Sequence, residues 1–280
     1  MLREHPSLCY FQGYHDIAQV FLLVLGPDVA VSALTSLSLL RIRDFMLPSL
    51  APSIAQLNLL PAILQAEAPS LSHHLATIQP FFALSATLTL YAHEIQEYGD
   101  IARLFDFLIA YPAVESVYLF ATIVLSRSEE LFEIPSSEPE MLHSILSKLP
   151  RPLDLELLIS RTIRLVTEHP PESLPTWAWW HISSYSVLRT TRVGHQNQTV
   201  QDGENLFAAH LKQLQRQKCR ERTLRRISKY RPARAQIALA VGVAVLALWL
   251  NFNDRDEYKI LDLQSLQKKS AAWLLARRAL

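Results

Sequence analysis

Apolar residues recur at helical spacing along the first 168 positions. Ile17, Val20, Phe21 and Val24 fall at i, i+3, i+4 and i+7, predicting a helix that Gly26-Pro27 stops. Leu71, Leu75 and Ile78 repeat the spacing. So do Ile101, Leu104, Phe105 and Leu108 behind a cap at Asp100, and Leu155, Ile159, Ile163 and Val166 behind a cap at Asp154. Pro48, Pro52, Pro61, Pro69, Pro80, Pro112, Pro139, Pro150 and Pro170 separate such stretches at helix-sized intervals. Sustained period-two alternation is missing, so the pattern predicts an all-α domain of about eight helices.

The periodicity then lapses. Residues 175–211 read as an irregular linker, and Trp177, Trp179 and Trp180 read as a loop packing on the domain rather than a ligand cage. Residues 212–234 carry ten Lys and Arg, with Glu221 the one acid among them. Immediately after comes Ile237–Leu250, fourteen residues without a polar side chain. Extended to 235–252 it reaches eighteen residues, about 27 Å of helix at ~1.5 Å per residue, close to the ~27 Å core of a thin bilayer. Within twenty residues the basic side has nine Lys and Arg and the far side four. The positive-inside bias therefore predicts a single span at 235–252, residues 1–234 cytosolic and a short lumenal tail at 253–280. Beside a span, the basic run reads as a juxtamembrane segment for anionic lipid rather than a nucleic-acid arm.

Composition sharpens this picture. The 280 residues are 50% hydrophobic and 19% charged, which excludes a disordered chain. Six glycines, with no G-x-G-x-x-G and no G-x-x-x-x-G-K-[ST], argue against a dinucleotide or P-loop site. The net charge of +1 conceals a split: 9 basic against 18 acidic residues up to position 168, and 18 against 8 afterwards. Cys9 and Cys219 suit a reducing compartment and cannot alone form a thiolate metal site.

The chemistry concentrates in Tyr10-Phe11-Gln12-Gly13-Tyr14-His15-Asp16-Ile17. This stretch resembles the Y-x-Q-G motif of TBC-domain Rab GTPase-activating proteins, and most closely their membrane-anchored endoplasmic reticulum branch. Phe82-Ala83-Leu84-Ser85, Arg103-Leu104-Phe105-Asp106-Phe107 and Leu158-Ile159-Ser160-Arg161 extend the likeness over residues 1–174, and a carboxy-terminal span is a trait of that branch. The resemblance implies a multi-helix TBC domain. It also implies a protein that completes the active site of a GTP-bound Rab of the early secretory pathway, in intracellular vesicle transport, rather than catalysing a reaction of its own. No cofactor and no metal are implied.

GTP hydrolysis needs an aligned water and positive charge on the developing transition state. A glutamine amide suits the water because it both donates and accepts hydrogen bonds. The resemblance makes Gln12 the glutamine finger, with Gly13 allowing close backbone approach and Tyr10, Tyr14 and Asp16 supporting the loop. Without its neighbours, a lone glutamine there would read as a cap or a solvent-facing residue. The family's second finger, the arginine of I-x-x-D-x-x-R, has no counterpart in these 280 residues. The expectation is therefore a TBC domain lacking its amino-terminal portion, with activity of this form in doubt. A Rab-binding module or scaffold anchored at the endoplasmic reticulum is the alternative.

Other constellations read as structural. His73 and His74 are adjacent and point to different helix faces, so they make a poor metal pair. His93-Glu94 lacks the second histidine of H-E-x-x-H. Ser85 and Ser160 lack a nucleophile-elbow context.

Overall fold

The apolar spacing is realised as helices stacked around one another. The structure, a computed structural model, describes residues 1–192, 197–225 and 241–248. Every regular element among the described residues is helical, with no strand. The chain order is α1 (Tyr14–Leu40), α2 (Ala51–Leu57), α3 (Leu59–Glu67), α4 (Pro69–His74), α5 (Leu84–Leu88) and α6 (Tyr98–Ala110). It continues with α7 (Glu115–Ser126), α8 (Ser128–Phe132), α9 (Pro139–Leu146), α10 (Leu155–Glu168), α11 (Ala178–His181) and α12 (Val187–Thr190). Many are shorter than three turns, because prolines open α2, α4 and α9. Isolated helices of such length are marginal, so packing sustains them.

The centre is α7. Its sequence ESVYLFATIVLS is apolar on every side, and Val117, Tyr118, Leu119, Phe120 and Ala121 are all buried. It packs against α10, α3 and α5. The buried Tyr118 hydroxyl donates to the His169 carbonyl at 2.6 Å. At the start of α10 the Asp154 carboxylate accepts from the Leu157 N–H at 3.0 Å, so this cap is present as the sequence predicts. At α6 the cap position belongs to Glu97, without a side-chain bond. Asp100 lies inside the first turn instead, where a carboxylate favours the positive helix end.

Gly26-Pro27 does not stop the first helix. It kinks it: Gly26 adopts φ 71° and ψ 168°, and the helix resumes from Pro27 to Leu40. Ile17, Val20, Phe21, Ala30, Leu34 and Leu37 face the core, whereas Leu22, Leu23, Val24 and Leu25 before the kink are exposed. The Arg41 guanidinium then donates to the Ile109 and Tyr111 carbonyls, at 2.6 and 2.9 Å, and fastens α1 to the end of α6.

Residues 175–211 depart from the linker reading. They contribute Trp179, Ile182, Val187, Leu188 and Phe207 to the core, and the first packed unit runs from Met1 to Leu214. Trp180 is half-exposed beneath Arg189, whose guanidinium carbon lies 5.4 Å from the ring centroid, and Trp177 is exposed. One-turn helices such as α11 and α12 leave no period in a sequence, which is why this stretch reads as irregular.

In the second unit, residues 215–225 are helical and exposed. The expected span at 235–252 lies largely outside the described residues, as do 226–234 and the tail at 253–280. Residues 241–248 within the span are helical, with Val241, Val243, Val245, Leu246 and Leu248 exposed. Among the described residues, the helix long and apolar enough to cross a membrane, by length and composition alone, is α1.

One buried acid gives the domain a pH dependence. Glu115, in the first turn of α7, is 4% exposed, and its Oε2 has no hydrogen-bond partner among the described residues. Burial pushes its carboxyl up to about 7, against the lowering pull of Arg192. The native state thus holds this proton more tightly than the unfolded chain does. Its contribution is complete below pH 4.5 and is lost as pH rises through about 7. Glu115→Gln should flatten the pH dependence of the melting temperature between pH 5 and 8. At pH 8 it should exceed the parent by about 3 kcal/mol. The same pH dependence in the parent and in Glu115→Gln would show that the native state does not hold a proton on Glu115.

Candidate functional site

Gln12 stands at the apex of a tight turn whose flanks are buried. Phe11 packs edge-on against Tyr14 and Phe45, with centroids 5.5 and 6.1 Å apart. The Tyr14 hydroxyl hydrogen-bonds Ser38 Oγ at 2.9 Å inside the domain. Burial pushes the Tyr14 phenol up, and the Ser38 bond pulls it partly back. Upstream, the Cys9 N–H donates to the Met46 carbonyl at 2.9 Å. The loop is therefore pinned on both sides, while Gln12 itself is exposed and its amide makes no hydrogen bond among the described residues.

Gly13 explains the shape of the turn. Its φ of 98° is left-handed, and a Cβ added there would sit 2.5 Å from Thr89 Cγ2. Any other residue would meet both backbone strain and a clash. This backbone reversal projects Gln12 outward and starts α1 at Tyr14.

Polar contacts join the residues around Gln12. Tyr10, 56% exposed, places its hydroxyl 3.0 Å from His15 Nδ1. His15 Nε2 lies 3.3 Å from one Asp16 oxygen, and His93 Nδ1 lies 3.0 Å from the other. The sequence-predicted residues Tyr10, Gln12, Gly13, Tyr14 and Asp16 thus occupy one site. Thr89 and His93 join them from a turn far along the chain.

The sequence profile of the Rab-GTPase-TBC domain matches residues 2–132, the segment that holds this loop and the turn beneath it. Residues 2–132 are a Rab-GTPase-TBC domain. It is 37% identical over 222 residues to the GTPase-activating protein gyp10 of Schizosaccharomyces pombe, covering 78% of this chain and 59% of the relative. It is 36% identical over 176 residues to TBC1 domain family member 20 of Homo sapiens, covering 62% of this chain and 43% of the relative. The chain thus spans about half the length of these relatives.

The remaining candidates are structural. His74 Nε2 lies 3.0 and 2.9 Å from the Leu131 and Ile134 carbonyls and ties α4 to the end of α8. Ser85 donates to Glu94 at 2.8 Å, and Ser160 to its own helix at the Leu157 carbonyl. No group of three or more metal-ligating side chains occurs among the described residues. Thr89 and His93 are the residues that sequence reasoning missed. His93 was legible only as half of a failed zinc motif, because its partner Asp16 is 77 positions away.

Proposed function

We propose that this chain activates a GTP-bound Rab GTPase, with Gln12 entering the partner's active site to orient the attacking water. The observation that carries the reading is the exposed, unengaged Gln12 amide on a turn pinned by Phe11, Gly13 and Tyr14. Preorganisation matters because an amide already in place loses little freedom when the complex forms. Gly13 lets the loop backbone close onto Thr89, and Tyr10 and Asp16 support the loop through His15.

The proposed setting is the endoplasmic reticulum membrane, with the helical domain cytosolic and the tail lumenal. The apolar run at 235–252 and its basic flank support this reading. An early secretory Rab then follows as the target, and residues 212–234 would rest on anionic lipid at ~1 kcal/mol per basic residue near the surface.

One observation favours a second reading, a module that docks a Rab without accelerating it: no I-x-x-D-x-x-R occurs in these 280 residues. An arginine finger contributes about 10³–10⁵ in rate. Single-turnover GTP hydrolysis by a panel of secretory-pathway Rabs separates the two readings. Alkaline carbonate extraction tests the anchor, and release of the chain into the supernatant would count against a span.

A further inference from the structure

The Gln12 loop rests on one turn of the distant 84–95 segment, and that turn is held in a costly conformation. Leu90 and Tyr91 are consecutive non-glycine residues with φ of 50° and 66°. Each such residue costs about 1–3 kcal/mol and persists only where its surroundings enforce it. Here Tyr91 is buried, its hydroxyl donates to the Ser116 carbonyl at 2.7 Å, and its N–H donates to the Ala86 carbonyl at 2.6 Å. The turn presents two groups to the finger loop. Thr89 fills the space where Gly13 has no side chain, and His93 reaches Asp16.

The geometry points to His93 as a positioning residue for Gln12, acting through Asp16; this rests on the reading of Gln12 as the water-orienting group. Asp16 is the hub, with one oxygen toward His93 and the other toward His15, whose far nitrogen meets Tyr10. A continuous polar chain therefore runs from four residues after Gln12 to two residues before it. His93 fastens that chain to the strained turn. Without His93, Asp16 keeps only its contact with His15, a residue of the same loop, and the Tyr10–His15–Asp16 chain loses its tie to the strained turn.

Exposure tells a positioning role from a structural one. The His93 side chain is 63% exposed and Asp16 19%. Exposed ionic contacts add little to global stability, so deleting His93 should leave the melting temperature unchanged. The effect should appear locally, in the loop and in the chemical step.

The test uses the full 280-residue chain as parent, His93→Ala, His93→Asn and Gln12→Ala. The first readout is amide hydrogen exchange of residues 10–16, which needs no GTPase. His93→Ala should raise it about five-fold, and His93→Asn should restore protection because its amide N–H replaces the Nδ1 donor. The second readout is Rab GTP hydrolysis by the same four proteins, each carrying an added arginine-motif segment, where His93→Ala should lower kcat and leave KM unchanged. Parental exchange in His93→Ala would overturn the proposal, as would His93→Asn behaving like His93→Ala. Unimpaired hydrolysis in His93→Ala beside an impaired Gln12→Ala would overturn the positioning role alone. Parental hydrolysis by Gln12→Ala would overturn the glutamine reading and this role with it.

Discussion

Asp44→Ala is expected to lower the unfolding free energy of the helical domain by about 3–5 kcal/mol, the usual cost of leaving a buried charge uncompensated. Arg43 and Asp44 are each 0% exposed. Asp44 accepts from Gln56 Nε2 at 2.7 Å, from the Ser186 hydroxyl and from the Val187 N–H at 3.2 Å, with His210 Nδ1 at 3.6 Å. The Arg43 guanidinium donates to the Leu39 and Tyr185 carbonyls and to the Thr190 hydroxyl. Burial pushes that guanidinium down to about 10, with Asp44 pulling it back up, so it stays charged at neutral pH. Alanine would leave this charge uncompensated and the Gln56 and Ser186 donors unpaired. Asp44→Asn, which keeps an acceptor oxygen, should fall between alanine and the parent. Urea titration of the full chain in detergent reads the change as a shifted midpoint at constant slope. A loss below about 1 kcal/mol would mean that water reaches the cluster.

The same cluster bears on the site. Phe45 follows Asp44 and packs on Phe11, and the Met46 carbonyl accepts from Cys9 just before the finger. The loop that presents Gln12 is thus built against a short helical turn, Arg43–Met46, held by buried charge. Asp44→Ala should consequently raise amide exchange across residues 9–14 as well as lower global stability.

These particulars show how far the sequence reaches. The α10 cap was legible because Asp154 bonds a residue three positions away. The buried face of α6 followed from spacing alone, since Leu104, Phe105 and Leu108 are all in the core. Gly26-Pro27 carried the right local chemistry, but whether a break ends a helix or bends it depends on what packs beyond, and Ala30, Leu34 and Leu37 find a core there. Arg43-Asp44 looks like an ordinary charged pair, and only contacts 142 and 147 positions away make it the buried tie between α1 and residues 185–190. The His93–Asp16 contact was hidden for the same reason. Motif reading located the loop, while the residues that hold it in place come from long-range packing that no local window contains.

Gln12→Ala should have little effect on Rab GTP hydrolysis in this 280-residue form and a large effect once an arginine-motif segment is supplied in the same chain. Gln12 has no hydrogen bond to lose among the described residues and lies on the surface, so the substitution leaves the helical fold intact. In the proposed role its amide acts only when a partner's γ-phosphate and water are present. The developing transition state also needs positive charge, and an arginine finger is worth about 10³–10⁵ in rate, or roughly 4–7 kcal/mol of barrier. With no I-x-x-D-x-x-R in these residues, acceleration by the parent should stay near background, where removing water alignment changes the rate by less than about two-fold. With that segment added, the two fingers serve one transition state and their effects become non-additive. Gln12→Ala should then cost about 10²-fold or more. Four proteins measured by single-turnover hydrolysis give the interaction directly: with or without the added segment, each with Gln12 or alanine. Strong acceleration by the 280-residue parent would show that another residue of this chain supplies the positive charge.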